Sequence, residues 1–223
     1  MQTLKSQFEA DGYYAPLRLI NTKRAELYRQ QLEVIEQRVS SLHYRFKIHT
    51  TMAMACELAI NKTLLDSVED LLGSNILLYN TAFVIKEPQS DAHVSWHQDL
   101  TYWGFNDDKQ VAAWIALSDA TQENGCMHMM PGSHKGGQQQ HKSTTDNSNV
   151  LYFGQTVDGV SDEQARCLPL KSGEASLHHG WTLHASYPNK SNERRIGLNL
   201  NYISTDMFQT QTEDDSAILV RGG

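Results

Sequence analysis

The chain contains the stretch Arg194-Arg195-Ile196-Gly197-Leu198-Asn199-Leu200-Asn201-Tyr202, in which two kinds of residue alternate. From residue 196 onward the even-numbered positions are large and mainly apolar, whereas the odd-numbered ones are Gly or Asn. Successive side chains of a β-strand point to opposite faces of the sheet. The pattern therefore predicts a strand whose even-numbered face packs in a hydrophobic core under helices. The odd-numbered face, which begins with Arg195, is expected to form the polar wall of a cavity, and Arg194 is expected to be a surface charge.

Further strands are predicted throughout the second half of the chain. Their patterning and the turn clusters between them give the ranges 76–85, 111–118, 126–130, 175–179, 181–187 and 195–203. Strands and helices do not alternate regularly there, so a parallel α/β sheet is not expected. Many short strands in one block favour an antiparallel sandwich or jelly roll. Residues 133–149 are polar and aperiodic, which predicts a long loop of the kind that often acts as a lid.

The N-terminal part of the chain is predicted to be helical. A short helix ends at Gly12 and leads into a strand. A long helix capped by Asn21 or Thr22 follows, and its apolar residues recur at steps of three and four as far as residue 42. A second helical stretch spans about 52–72 and is broken near Asn61.

Length and composition indicate one globular domain. The 223 residues are 39% hydrophobic and 20% charged, which is typical of a chain with a single hydrophobic core. We therefore expect one domain over residues 1–223. Its helical cover is predicted at about 1–73 and its jelly-roll core at about 74–205.

Charge and cysteine content exclude several classes of function. The formal net charge is −7 and the sequence pI is about 5.8, with no run of Lys or Arg, so nucleic-acid binding is not expected. The three cysteines are far apart and form no Cys-x-x-Cys motif, which argues against a disulfide framework or a zinc-thiolate site. No apolar run is long enough to cross a membrane, and the N-terminus does not resemble a signal peptide. We expect a cytoplasmic monomer or homodimer.

A pair of metal-ligating side chains occurs in Trp96-His97-Gln98-Asp99. The imidazole and the carboxylate are two residues apart, so on an extended strand they point to the same face. This pair suits a divalent metal ion, and a second His would complete the facial triad typical of non-haem Fe(II) oxygenases. The His-x-Asp spacing alone is also common on surface strands, so a third ligand is required.

The third ligand is expected in residues 173–186, where a late strand, a turn that contains Gly and another strand follow one another. Late strands of a jelly roll lie beside early ones, so a His there can complete the site begun at His97 and Asp99. We select His184, and His179 remains the alternative. Five residues separate the two, so a continuous strand would point them to opposite faces and only one would bind the metal.

Three sets of motifs follow one another along the chain. They are Trp96-His97-Gln98-Asp99; Ala113-Trp114-Ile115-Ala116-Leu117 with Glu123-Asn124-Gly125-Cys126-Met127 and Met130-Pro131-Gly132-Ser133-His134; and His184-Ala185-Ser186 with Asn189-Lys190-Ser191 and Arg194-Arg195. In this order they resemble the phytanoyl-CoA dioxygenase family of Fe(II)- and 2-oxoglutarate-dependent oxygenases. The resemblance covers nearly the whole chain and implies a double-stranded β-helix, a cupin-like jelly roll with N-terminal helices on one sheet. Ala185 stands where many members have Gly.

The resemblance implies roles for individual residues. The implied ligands of Fe(II) are His97, Asp99 and His184. The residues implied to hold 2-oxoglutarate are Arg195 and Ser186, at its distal carboxylate, and Trp114, which lines the pocket. The implied reaction consumes O2 and 2-oxoglutarate, releases succinate and CO2 and hydroxylates an unactivated C–H bond. Weaker candidates for contact with the substrate are Tyr102, Trp103, His93, Trp96 and Asn199.

Three other functions compete with this one. A purely structural or protein-binding sandwich would leave the polar inward face of the last strand unexplained. A halogenase of similar fold needs a small residue in place of the carboxylate, so Asp99 disfavours it. A non-catalytic module that binds metal or 2-oxoglutarate is the main alternative, although a metal module has no need of Arg195 and Ser186. Few basic residues lie near the motifs, so no cradle for a CoA diphosphate is expected. A small free metabolite is therefore the expected substrate.

Overall fold

The fold is built from two antiparallel sheets that form the walls of a cavity. The computed structural model describes residues 3–151, 154–211 and 215–223. In chain order the strands are β1 Tyr13–Arg18, β2 Ile76–Lys86, β3 Val94–His97, β4 Gln110–Ala116, β5 Met127–Met129, β6 His141–Ser143, β7 Gln155–Val157, β8 Arg166–Leu168, β9 Glu174–His179, β10 His184–Ser186, β11 Arg195–Ser204 and β12 Ile218–Arg221. The major sheet has the order β1-β9-β4-β11-β2-β12, and the minor sheet has the order β3-β10-β5-β8. The predicted antiparallel jelly roll is thus confirmed.

Four helices precede or separate the first strands. They are α1 Leu4–Asp11, α2 Thr22–Glu36, α3 Ala53–Ala59 and α4 Lys62–Leu72. The caps agree with the sequence: the side-chain oxygen of Asn21 accepts from the backbone N–H of Arg24 at 2.9 Å, and that of Asn61 accepts from Leu64 at 3.1 Å. None of the helices in the described part of the chain has the length and apolar character that crossing a bilayer requires.

The helices cover the outer face of the major sheet. The even-numbered residues of β11 from 196 to 202 are fully buried and belong to one hydrophobic cluster with Leu32 of α2, Leu58 of α3 and Leu64 of α4. The odd-numbered residues Arg195, Asn199 and Asn201 line the cavity on the other face. The predicted division of β11 into a core face and a cavity face is therefore confirmed.

Several boundaries differ from those predicted. Helix α2 ends at Glu36, because the Glu36 carboxylate accepts from the backbone N–H of Leu42 while the chain turns away, and Val39 is left 42% exposed. Residues 133–149 are not all loop, since they contain a short 3-10 segment and β6, which pairs with β7. The major sheet also draws on residues outside 74–205, because β1 and β12 are its edge strands.

Close packing around Gly197 generates a test of the sheet register. A Cβ atom on Gly197 would lie 2.0 Å from Cζ2 of Trp114, a side chain that β11 and β4 bring together. We expect Gly197→Ala to lower the free energy of unfolding by about 1–3 kcal/mol, as overpacking typically does. Urea unfolding measures the change. Gly136→Ala is the control, because its Cβ would meet only the flexible end of Gln139. Equal midpoints for the two variants would show that Trp114 does not pack against β11.

Candidate metal centre

The three predicted metal ligands lie at the ends of strands in the minor sheet. His97 is the last residue of β3, and His184 is the first residue of β10 and lies opposite His97 in the register. Asp99 begins a 3-10 segment, so the expectation that it lies on the same strand as His97 is wrong. Gln98 between them is still extended, with φ −128° and ψ 128°, and this keeps the two side chains on one side.

These three side chains converge on one point. Nε2 of His97 lies 3.4 Å from Oδ1 of Asp99, and Nε2 of His184 lies 3.6 Å from the same oxygen. One donor atom from each residue lies within 4.8 Å of the other two, and all three residues are largely withdrawn from solvent. Two imidazole nitrogens and one carboxylate oxygen in this arrangement match the facial triad of non-haem iron sites.

Local backbone groups orient both imidazoles. Nδ1 of His97 donates to the carbonyl of Ser95 at 2.8 Å, and Nδ1 of His184 donates to the carbonyl of Thr182 at 2.9 Å. Each Nε2 therefore carries its lone pair toward Asp99. Burial, and then the neighbouring His97, hold the pKa of His184 well below its ordinary value, so the ring is neutral, the form that binds metal.

The side chain of Gln98 holds the backbone between the first two ligands. It is fully buried, and its amide nitrogen donates to the carbonyls of Gly137 at 2.9 Å and Trp181 at 2.7 Å. Its amide oxygen accepts from the backbone N–H of Gln139 at 2.7 Å. Residues 133–149, predicted as a lid-like loop, therefore anchor the ligand strand, and none of them lines the cavity.

His179 lies away from the metal ligands. Its Nδ1 accepts from the backbone N–H of Trp181 at 3.1 Å, and its ring packs near Phe8 and His134. Burial is the main cause that lowers the pKa of His179 to about 4. Because it points to the opposite side of β9 from the cavity, the geometry favours His184 as the third ligand.

A buried cation occupies the same cavity. Arg195 is 1% exposed, its Cζ lies 5.1 Å from the ring of Trp114, and Nη1 donates to the carbonyl of Gly125 at 2.6 Å. None of the ion pairs among the described residues includes Arg195, and its Nε lacks a hydrogen-bond partner there. Burial lowers the pKa of this guanidinium to about 10, so it remains charged at neutral pH. Ser186 and Trp114 also line this cavity, and their contact with 2-oxoglutarate stays a prediction.

Lys86 is a second buried basic residue near Arg195 that the sequence reasoning missed. Its side chain is 1% exposed, and Nζ donates to the carbonyls of Ser186, at 2.9 Å, and Tyr187. Burial first, and then Arg195, lower the pKa of Lys86 to about 6. The alternation along β2 predicts that residues 84 and 86 share a face, and Val84 lines the cavity, so this signal was available.

The weaker candidates divide into two groups. Tyr102, Trp103 and Asn199 line the cavity. His93 and Trp96 do not. Nε2 of His93 lies 3.6 Å from Asp146, and the indole N–H of Trp96 donates to Asp162 at 2.9 Å. Neither side chain lines the cavity, and each is engaged with an acidic residue that does not line it either, so their contact with the substrate stays a prediction.

Other lining residues were not expected from the sequence. They include Tyr44, Phe46, Asn80, Leu151 and His178. Asn80, Ala82 and Val84 alternate along β2 toward the cavity, and Ser176 and His178 alternate with the core residue Leu177 along β9. Period-two patterning could therefore have identified Asn80 and His178. Tyr44 and Phe46 lie between α2 and α3, where no periodicity points to a site.

Two of the cysteines, which are far apart in the sequence, meet in the structure. The Sγ atoms of Cys126 and Cys167 lie 3.0 Å apart because β5 and β8 are neighbours, and His128 adjoins them. Burial, and then the contact with Cys167, raise the pKa of Cys126 to about 12. We interpret this cluster as a contact between two free cysteines in the core, because the raised pKa of Cys126 disfavours the thiolate that a metal site needs.

Comparison with known proteins places this site in context. The model of the phytanoyl-CoA dioxygenase (PhyH) family matches residues 8–197. The probable alpha-ketoglutarate-dependent hypophosphite dioxygenase of Stutzerimonas stutzeri is 32% identical over 150 residues, which are 66% of this chain and 52% of that protein. Human peroxisomal phytanoyl-CoA dioxygenase is 30% identical over 148 residues, 64% of this chain and 44% of the human protein. The chain thus spans about half the length of these relatives.

Solved structures share the fold. The non-heme monooxygenase ThoJ in its apo form superposes with a TM-score of 0.87 and 29% identity, and covers 99% of this chain and 84% of its own. The epimerase SnoN, solved with Fe3+, alpha ketoglutarate and nogalamycin RO, superposes with a TM-score of 0.80 over 98% of this chain and 97% of its own. At 18% identity the second likeness shows the fold alone.

The choice between His184 and His179 can be tested by metal binding. We expect His184→Ala to weaken Co(II) binding by more than the roughly 10–100-fold that loss of an outer-shell partner costs, because a direct ligand is removed. His179→Ala should bind Co(II) like the wild type. Competition with a chromophoric chelator measures both affinities. Loss of binding in His179→Ala alone would reverse the assignment.

Proposed function

The chain belongs to the phytanoyl-CoA dioxygenase family, and from this premise we propose that it is an Fe(II)- and 2-oxoglutarate-dependent oxygenase that hydroxylates a C–H bond of a small, uncharged organic molecule. The observation that carries the proposal is the buried guanidinium of Arg195. It lies in the same cavity as His97, Asp99 and His184 and has no anionic partner among the described residues. A metal site alone gives no reason to bury such a cation.

The residues present fit the two groups that the proposal requires. His97, Asp99 and His184 would hold Fe(II), because two neutral imidazoles and one carboxylate supply donors that this ion accepts. Arg195 would bind the distal carboxylate of 2-oxoglutarate, since a guanidinium offers a planar fork of N–H donors that matches a carboxylate. Ser186 would offer a hydroxyl and Trp114 a flat apolar wall to the bound cosubstrate, since both line the same cavity.

When bound, iron and 2-oxoglutarate supply the oxidation: O2 and the cosubstrate give succinate and CO2, and one oxygen atom enters the C–H bond. The contribution of this chain is to position the substrate and to exclude water. Apolar side chains of both sheets would exclude water, among them Val84, Val94 and Met127. Asp99 keeps the carboxylate in the ligand set, which disfavours halogenation.

The charged residues in the cavity wall restrict the charge of the substrate. Among the described residues that line the cavity, the charged types Asp, Glu, Lys and Arg are represented by Asp99 and Arg195. Both would be engaged by iron and 2-oxoglutarate. What remains for the substrate is aromatic surface at Tyr102, Trp103 and Phe46 and neutral amides such as Asn199, whose Oδ1 is buried without a partner among the described residues. This wall suits an uncharged molecule with an N–H or O–H group and offers no site for a CoA diphosphate.

Turnover of the cosubstrate tests the proposed reaction class. The purified chain is incubated with Fe(II), ascorbate, O2 and 2-oxoglutarate, and succinate is measured. We expect slow succinate formation without substrate, its acceleration by an uncharged acceptor, and its loss in Asp99→Ala, because a ligand is removed. Succinate formation that persists in Asp99→Ala, or its absence in the wild type while Fe(II) is bound, would contradict an oxygenase function.

The role of Arg195 generates a second prediction. Arg195→Ala should raise the 2-oxoglutarate concentration for half-maximal succinate formation about 30-fold to several thousand-fold, because loss of one partner from a buried charge pair costs roughly 2–5 kcal/mol. The same shift should appear in anaerobic titrations of the Fe(II)–2-oxoglutarate absorption band.

Arg194→Ala is the matched control for Arg195→Ala. Arg194, predicted to be a surface charge, is partly exposed and ion-paired: its guanidinium lies 2.9 Å from Glu36 and 2.7 Å from Glu87 and connects the end of α2 to the end of β2. Its removal should lower stability but leave the 2-oxoglutarate requirement within a few-fold of the wild type. Equal shifts in the two variants would indicate that Arg195 does not contact the cosubstrate.

A further inference from the structure

His178 lies next to the candidate metal centre and is not one of its ligands. It is in β9, opposite Ala112 of β4 and Tyr13 of β1, and its side chain points into the cavity with 1% of its surface exposed. Its ring centroid lies 4.6 Å from that of His184. The small side chain of Ala112 leaves space for the imidazole on this face of the sheet.

The two oxygens of Asp99 face different partners. Oδ1 lies 3.4–3.6 Å from Nε2 of His97 and His184, whereas Oδ2 lies 3.4 Å from Nε2 of His178. Neither ring nitrogen of His178 makes another hydrogen bond within the described chain, and neither does Oδ2. Buried polar atoms of this kind are costly unless they are paired. The imidazole of His178 and Oδ2 of Asp99 are neighbouring polar groups, so each can satisfy the other.

His178 cannot be read as a fourth ligand. The donors of His97, Asp99 and His184 all lie within 4.8 Å of one another, and His178 is not part of this mutually close set. It approaches the carboxylate from the side of Oδ2, away from the oxygen that faces the two other imidazoles. This is the place of an outer-shell partner, which orients a ligand by hydrogen bonding to its free atom.

We propose that His178 is a positioning residue that donates its Nε2–H to Oδ2 of Asp99 and thereby holds the carboxylate with Oδ1 alone toward the metal. The proposal rests on the metal site of the proposed function. A carboxylate free to turn about its terminal bond can present both oxygens to a metal, and this occupies a coordination position that 2-oxoglutarate or O2 requires. His178 restrains that rotation from outside the ligand set.

Substitutions that separate hydrogen bonding from space filling test the proposal. His178→Phe keeps an aromatic ring of similar size but removes the donor. His178→Gln keeps an N–H near the position of Nε2, and His178→Asn keeps an amide that is too short to reach Oδ2. The metal-free variants are first compared by thermal unfolding, so that a loss of fold is recognised. His179→Phe is the control, because the same substitution on the same strand lies outside the site.

The readout is Co(II) bound to the protein in the absence of 2-oxoglutarate and O2. We expect His178→Phe and His178→Asn to bind Co(II) about 10–100-fold more weakly than the wild type, as loss of an outer-shell partner typically does. Their visible Co(II) absorption should change in intensity, because a second carboxylate oxygen raises the coordination number. His178→Gln and His179→Phe should match the wild type in both respects.

The possible failures are distinguishable. If Co(II) binds to His184→Ala as tightly as to the wild type, the assigned metal site is wrong, and the proposed function fails with it. Binding that depends on His184 but is unchanged in His178→Phe, or equally weakened in the Gln and Asn variants, would overturn the role of His178 alone. If His178→Phe does not fold, the Co(II) affinities of His178→Gln and His178→Asn decide the role of His178, since both side chains are polar and differ in length.

Discussion

The register of β11 between β2 and β4 is the constraint on which the rest of the molecule depends. In this register Leu198 lies opposite Phe83 and Ile115 in the core, and Asn199 lies opposite Ala82 and Trp114 at the cavity. A slip of one residue would exchange the two faces of the strand. Arg195 would then enter the core under the helices without a partner, and leucines would face the cavity. The packing of the core therefore fixes the position of the guanidinium.

The geometry of the metal centre depends on local hydrogen bonds and on one long-range strand pairing. Each of the two ligand histidines donates its Nδ1–H to the carbonyl two residues earlier in the chain, so the backbone that carries the ring also selects its tautomer. The distance between the rings comes from the pairing of β3 with β10, which joins residues 87 positions apart in the chain and gives a ring-centroid separation of 4.0 Å. The ligand residues can therefore be oriented before the sheet closes, but they form a site only when it does.

This division explains what the sequence could predict. Period-two alternation gave the faces of β11, and the spacing of His97 and Asp99 gave two neighbouring ligands. Alternation alone could not decide between His184 and His179, because the turn between β9 and β10 interrupts the alternation that relates the two residues. The ion pairs of Arg194 could not be predicted, since they depend on where α2 ends. The meeting of Cys126 with Cys167 depends on the pairing of β5 with β8, and short strands carry little periodic signal.

The buried charges of the cavity explain why it would accept an uncharged substrate once loaded. Asp99 contributes one negative charge and Arg195 one positive charge, and Lys86, whose pKa is lowered to about 6 by burial and by Arg195, is mostly neutral at pH 7. A divalent metal ion and the dianion 2-oxoglutarate also cancel each other. The loaded cavity is then close to neutral, with each cation adjoining an anion, which is the condition for stable burial of charge. An additional charged group from a substrate would lack a counter-charge in this poorly hydrated space, whereas amides and aromatic rings can solvate a neutral molecule. Under the proposed function, the same electrostatic balance that lets the protein bury its cofactor ligands would limit the substrates to uncharged molecules.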